Sequence, residues 1–272
     1  MNTLHTLSRQ QLELGAQVII GYTPGSNGTS GTSRPPKPFF AQSPEEVEQL
    51  IFDDTCHYNL AVYLTKKEVT ALGKRVLFAT LPTLRSIIRL AVEHQVNEGD
   101  VAVIVRANDT EYALLNTLAE METFLNGRTP AMSQEDREQL DALLAMNQEE
   151  RWAFWKEAFE TCIRCYACRQ ACPLCYCATC AATANQPQWI PVAQHALGNT
   201  EWHLMRAMHL AGRCITCGQC GEACPMGLPV HLLAFYLAET VQHEYGAASG
   251  LTLTETTPMS VYKPEDTTNF IR

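Results

Sequence analysis

The 272-residue chain has no run of about 18 apolar residues, so nothing in it is expected to span a bilayer. Basic side chains are scarce: 20 Lys and Arg stand against 29 Asp and Glu, a formal charge of −9. Nucleic-acid backbones bind clustered Lys and Arg, so no nucleic-acid partner is expected. The opening MNTLHTLSRQQLELGAQVII lacks a basic stretch followed by a clean apolar one, which reads as a cytoplasmic chain. Neither a P-loop run nor GxSxG, HExxH or GxGxxG occurs, which removes the usual signatures of nucleotide, acyl-transfer and zinc-protease chemistry. GYTPGSNG is glycine-rich but has no strand–helix context and reads as a loop. No catalytic residue and no small-molecule substrate of the chain's own is expected.

Cysteine is nearly absent from the first 161 residues, Cys56 excepted, and then dominates: eleven of the twelve lie between Cys162 and Cys224. A secreted disulfide framework spreads its cysteines along a shorter chain, whereas thiols this close in a reducing compartment read as metal ligands. Cys162, Cys165, Cys168 and Cys172 follow C-x2-C-x2-C-x3-C with Pro173 next, and Cys214, Cys217, Cys220 and Cys224 repeat the pattern with Pro225 next. In such runs three thiolates hold three irons of one cubane, and the fourth serves the neighbouring cluster. Cluster 1 is therefore assigned to Cys162, Cys165, Cys168 and Cys224, and cluster 2 to Cys214, Cys217, Cys220 and Cys172. Small residues, Ala167, Gly218 and Gly221, let backbone N–H groups approach cluster sulfur. The alternative is a pair of structural zinc sites, but zinc uses two C-x2-C pairs and has no need of a triple run with a trailing Cys-Pro.

The organisation along the chain reads as an α/β domain over 1–130, a mainly helical ferredoxin-like domain over 131–246 and an extended docking tail over 247–272. Within the first, residues 21–40 are rich in Gly, Ser, Thr and Pro and are expected to be irregular. Ser43 and Pro44 open a helix through 53. Strands are expected at 74–80 and 100–105, each followed by a helix, at 83–95 and 110–122, giving a small parallel sheet. One helix is read over 132–165, others over 200–213 and 228–246. Helical periodicity between the two cysteine runs suggests that helices, not hairpins, hold the cluster loops.

RCITCGQCGEACPMGLPVHLL (213–233) resembles the second run of the iron–sulfur subunits of succinate dehydrogenase and heterodisulfide reductase. A broader resemblance rests on DDTCHYNLAVYL (53–64), the strand–helix unit after it, FETCIRCYACRQACPLCYCATC (159–180) and RAMHLAGRCITCGQCGEACPMGLP (206–229). It is to the iron–sulfur beta subunits related to formate dehydrogenase and deazaflavin-reducing hydrogenase. That resemblance implies an electron-transfer subunit of an oxygen-sensitive, multisubunit oxidoreductase, passing single electrons between a catalytic subunit and a flavin or heterodisulfide-reductase-type partner. Relatives often carry a KGCDSR-like segment after the first strand. This chain has FATLPTLRS (78–86) without a cysteine, so no bound flavin is expected. The alternative is a flavin-containing subunit exchanging a hydride with a deazaflavin or nicotinamide. A structural iron–sulfur scaffold without redox turnover is a third class.

Eight cysteines serve the two runs, leaving Cys56, Cys175, Cys177 and Cys180. Four is the number a third cubane needs, and a third cluster on these four is expected; the bland alternative is that Cys56 is a core thiol. His57, His195, His203, His209 and His231 are read as surface or helix-packing residues although imidazole can replace thiolate on a cluster. Trp152, Phe154, Trp155 and Phe159 read as helix packing, and Arg164, Arg169 and Arg213 either offset cluster charge or face solvent.

Overall fold

The computed structural model describes residues 3–25, 35–108, 111–128, 132–184 and 186–258. The chain divides into two compact units: residues up to 130 with Gly250–Leu253, and residues 131 to 249 with those after 253. Each is described by itself.

The first unit is built on a five-stranded sheet in the order β2-β1-β3-β4-β5. Its strands are β1 (Val18–Thr23), β2 (Lys37–Ala41), β3 (Arg75–Ala79), β4 (Val101–Arg106) and β5 (Tyr112–Leu115). β1, β3 and β4 run parallel, with Ile19 opposite Val76 and Val76 opposite Ala102. These central strands are buried almost throughout, which suits their unbroken apolar sequences, VIIGYT, RVLFA and VAVIV. Helix α1 (Thr3–Glu13) precedes the sheet and the short α2 (Lys67–Thr70) precedes β3. Helix α3 (Leu81–Val92) forms the β3–β4 crossover. The Thr80 side chain caps α3 by accepting from the Thr83 amide, and Leu84, Ile87, Ile88 and Leu90 face the core.

The sheet is mixed rather than parallel. β2 pairs antiparallel with β1, and β5 antiparallel with β4. The residues between Arg106 and Tyr112 are too few for a crossover helix, so β5 can return only as a hairpin. The single helix expected over 110–122 is therefore β5 followed by α4 (Leu118–Leu125), divided where Thr117 and Glu120 form a capping box. Likewise 21–40 is not wholly irregular: its ends belong to β1 and β2, while 26–34 lie outside the described residues. The helix opening at Ser43 closes after one 3-10 turn, Glu46–Gln49, because Leu50 turns extended into the core. Of the expected docking tail, Gly250–Leu253 belong to the first unit, with the Leu253 amide on Glu122 at 3.1 Å; residues 259–272 lie outside the described residues.

The second unit is helical: α5 (Gln134–Ala145), α6 (Gln148–Glu160), α7 (Ala167–Gln170), α8 (Ala196–Leu210), α9 (Gln219–Glu222) and α10 (Val230–Tyr245). The helix expected over 132–165 breaks at Asn147, whose side chain accepts from the Glu149 and Glu150 amides and starts α6 afresh. One apolar cluster gathers Phe159, Cys162, Cys168, Ile190, Trp202 and Leu228, and a second joins Leu140 and Leu143 to Leu232 and Phe235. Two of the thiols are thus part of the core itself.

Candidate metal centre

Both cysteine runs adopt the same backbone conformation. In the first, Arg164 and Tyr166 are left-handed, at φ 57° and 60°; in the second, Thr216 and Gly218 are, at 57° and 73°. Three of these four are not glycine, and a side-chain-bearing residue held there costs on the order of 1 kcal/mol. The conformation bends each loop so that amides turn toward sulfur: Arg164 N–H points at Cys162 Sγ and Thr216 N–H at Cys214 Sγ, both at 3.4 Å. Each loop then enters one helical turn, α7 or α9, which carries the third cysteine of its run, Cys168 or Cys220. This is the concave, amide-lined backbone that an anionic sulfide-bearing group requires.

The thiols of the two runs lie close together, and the last cysteine of each run has neighbours in the other. Cys162 feels the charges of Cys224 and Cys165, and Cys168 those of Cys220, Cys162 and Cys224. Cys172 acts on Cys214, Cys217 and Cys220. Cys172, Cys214, Cys217 and Cys220 also line one narrow cavity of about 20 Å³, walled by Leu210, Ala234 and Phe235. Burial pushes the Cys168 and Cys214 thiols up to about 12, with neighbouring thiols adding to the effect. Burial raises Cys162, Cys217 and Cys220 as well, so these thiols do not ionise unaided, whereas a hydrogen bond from Cys175 lowers Cys172 to about 6; coordination to iron replaces the proton and supplies the missing positive charge. Among the described residues no three Cys, His, Asp or Glu converge on one ion, as a zinc site requires. A cubane has no such requirement, since each thiolate takes a different iron. The donor set fits iron–sulfur clusters.

Two residues of α8 complete the electrostatics. Arg206, only 6% exposed, donates from Nη2 to Cys168 O at 3.0 Å while its Nε has no hydrogen-bond partner. Burial works against its charge, yet Cys220, Cys172, Cys175 and Cys168 outweigh that and hold its pKa above the ordinary value. His203, expected at a surface or in helix packing, is buried and packs flat on Phe159 at 4.4 Å with its Nε2 3.3 Å from Cys162 Sγ. Burial, then the charges of Arg206 and Arg164, depress its pKa to about 3, so the ring is neutral, and to a Cys162 thiolate the Nε2–H tautomer would donate. On the same helix Asn199 Nδ2 bridges Phe159 O at 3.0 Å and Cys162 O at 2.9 Å, tying the end of α6 to the first loop.

Cys175, Cys177 and Cys180 line a second cavity, about 280 Å³, together with Arg169, Arg206, His209 and Arg213. Arg169 donates to Cys177 O at 3.0 Å and Arg213 to Leu174 O at 3.3 Å, so both grip the loop rather than point into solvent. Arg164 stacks over Trp202 and donates to Pro191 O. Cys56 is buried in the first unit, its Sγ 3.9 Å from Ile51 O and 3.7 Å from Asp53 Oδ1; burial, then the Asp53 carboxylate, raises its pKa to about 11. His195 caps α8 by accepting from the Gly198 amide, His231 pairs with Asp136, and His57 stacks on Tyr58. Phe159, Phe154 and Trp155 pack as read, whereas Trp152 is 54% exposed. Sequence reasoning passed over Arg206 and Asn199; neither stands in a cysteine motif, and only the facing of α8 toward both loops reveals them.

Comparison with known proteins agrees with this chemistry. Residues 161–229 match the family described as a 4Fe-4S dicluster domain. Over those residues the chain resembles a two-cluster iron–sulfur domain. Over 102 residues, 36% of its length, it is 32% identical to the F420-dependent formate dehydrogenase subunit beta of Methanocaldococcus jannaschii. It spans about a quarter, 26%, of that protein. The resemblance to formate-dehydrogenase-type beta subunits is borne out over that span. No helix among the described residues is long and apolar enough to cross a membrane.

Proposed function

We propose that this chain relays single electrons within a cytoplasmic multisubunit oxidoreductase, between a catalytic subunit and a flavin or heterodisulfide-reductase-type partner. Two 4Fe-4S clusters would do so, one on Cys162, Cys165, Cys168 and Cys224, the other on Cys214, Cys217, Cys220 and Cys172. The observation that supports the reading is that Cys172 lines a cavity with Cys214, Cys217 and Cys220, while Cys224 is near enough to Cys162 and Cys168 to act on both. Bound clusters supply one-electron chemistry without bond-making, so the chain's task is positioning and tuning. Left-handed loop residues aim amides at sulfur, His203 donates to Cys162, and Arg206 places a buried cation between the two thiol groups. The likeness to a formate dehydrogenase subunit supports a place inside such a complex; that no flavin binds to this chain is a separate part of the proposal, resting on the cysteine-free FATLPTLRS segment.

The test is a comparison of variants in anaerobically purified protein. Cys172→Ser should perturb the same electron paramagnetic resonance signal as Cys217→Ser and lower iron by about four per chain. A Cys172→Ser spectrum matching Cys165→Ser would refute the exchanged pairing.

A further inference from the structure

We propose that the cavity beside the second run is a third iron–sulfur site, a 4Fe-4S cluster held by Cys175, Cys177, Cys180 and the imidazole of His209. It rests on the two-cluster reading, which uses eight cysteines of the second unit and leaves these three. The sequence already groups the three, with Cys56 as the fourth ligand. In the structure they line one cavity of about 280 Å³, with Leu174, Ala182 and Leu210 as apolar walls.

The loop that carries them is held in place by its own unit. Arg169 fixes the Cys177 carbonyl at 3.0 Å, Arg213 the Leu174 carbonyl at 3.3 Å, and Cys180 O accepts from the Thr183 and Ala184 amides at 3.0 and 2.8 Å. With its backbone pinned at three points, the loop is free to offer sulfur to the cavity. Preorganisation of this kind is what a metal ligand loop needs. The guanidinium groups also line or border the space, so the negative charge of three thiolates and the cluster is met by three cations, Arg169, Arg206 and Arg213.

His209 supplies the fourth corner. It lies on α8 one turn beyond Arg206, lines the same cavity, and its ring makes no hydrogen bond among the described residues. The remaining thiol, Cys56, already has partners in the sheet unit, Ile51 O at 3.9 Å and the Asp53 carboxylate at 3.7 Å. A single-ion site is not what the geometry offers, because no three such donors converge on one point among the described residues. Cys175 lies beside Cys172, which the two-cluster reading places on the second run's cluster, so the third site adjoins the second. A neutral imidazole in place of a fourth thiolate makes the site less negative and raises its potential above an all-cysteine cluster.

The full chain, reconstituted anaerobically with iron and sulfide, tests each part. Wild-type protein should hold about twelve irons, at four per cubane. Cys177→Ser with Cys180→Ser should hold about eight and keep the resonance signals of the other two clusters. Pulsed resonance of the reduced protein should show a directly coordinated nitrogen, absent in His209→Ala. His209→Cys should keep the iron, lose the nitrogen signal and lower that cluster's potential. Cys56→Ser should change none of these. About eight irons in wild type, unaltered by the double substitution, would overturn the third site while leaving the two-cluster reading intact. Twelve irons without nitrogen coupling, or four lost in Cys56→Ser, would overturn His209 as ligand. Four or fewer irons in wild type would overturn the two-cluster reading and this one together.

Discussion

Arg206 concentrates the electrostatic problem of the second unit in one side chain. A guanidinium this deeply buried is unfavourable unless anions surround it, and here Cys168, Cys172, Cys175 and Cys220 do. Its charge opposes the gain of an electron by neither neighbourhood and favours it in both. A unit charge about 8 Å away at an effective dielectric near 20 is worth roughly 2 kcal/mol. Since about 2.3 kcal/mol corresponds to 100 mV for one electron, Arg206→Met should lower both cluster potentials by on the order of 100 mV. Arg206→Lys should restore most of the shift, because it restores charge without the fork to Cys168 O. Redox titration followed by electron paramagnetic resonance reads the change; potentials unmoved in Arg206→Met would show that the cation is structural only. The two cysteine runs were legible because cubane chemistry fixes their spacing. Arg206 was not, because a charge on a helix reads as solvated until the helix is known to face two loops.

At the scale of elements, the two ferredoxin runs are one device built twice. Left-handed residues stand two and four positions after the first cysteine of each run, yet only Gly218 announces that conformation in the sequence. Tyr166 tolerates it because its ring packs edge-on against Trp202 at 5.3 Å, so packing offsets the backbone cost. Gly221 marks a different constraint. A Cβ there would lie 2.0 Å from His231 Nδ1, and His231 in turn binds Asp136 at 2.9 Å, joining α10 to α5. Gly221→Ala should therefore displace the ring and destabilise the second unit by about 1–3 kcal/mol. Thermal unfolding of the cluster-loaded protein measures this, and an unchanged midpoint would mean that the ring moves without cost. The elements misread from sequence share one cause. β5 and the 3-10 turn after Ser43 carry helix-like patterns over stretches too short for periodicity to decide, and hairpin pairing or burial of Leu50 settled them instead. The α3 crossover and the buried strands β3 and β4 were legible because their apolar runs are long and unambiguous.

Across the whole molecule, the two units are held together by different chemistry. The first has a conventional core: Ile19, Val76, Leu77, Phe78, Val103 and Ile104 are fully buried, and Phe52 stacks on Phe78 at 5.3 Å. Gly21 admits Phe78 and Leu50 so closely that a Cβ would lie 2.7 Å from the Phe78 ring. None of this depends on metal. The second unit places Cys162 and Cys168 inside its apolar cluster and packs Cys180, Cys220 and Cys224 against it. Without iron Cys162, Cys168 and Cys220 are thiols that resist ionisation, Arg206 has lost its thiolate partners, and the strained loop residues have no cluster sulfur to receive their amides. Metal binding is then also folding free energy for this unit, as it is in small metal-dependent domains. Stripping iron anaerobically with a chelator should leave the amides of β1, β3 and β4 as protected from hydrogen exchange as before. Amides from Cys162 to Cys224 should exchange at least tenfold faster, since each 1.4 kcal/mol of lost stability opens the unit about tenfold more often. Equal loss of protection in both units would mean that one cooperative core spans the chain. Undiminished protection in the second would mean that its helices need no cluster to fold.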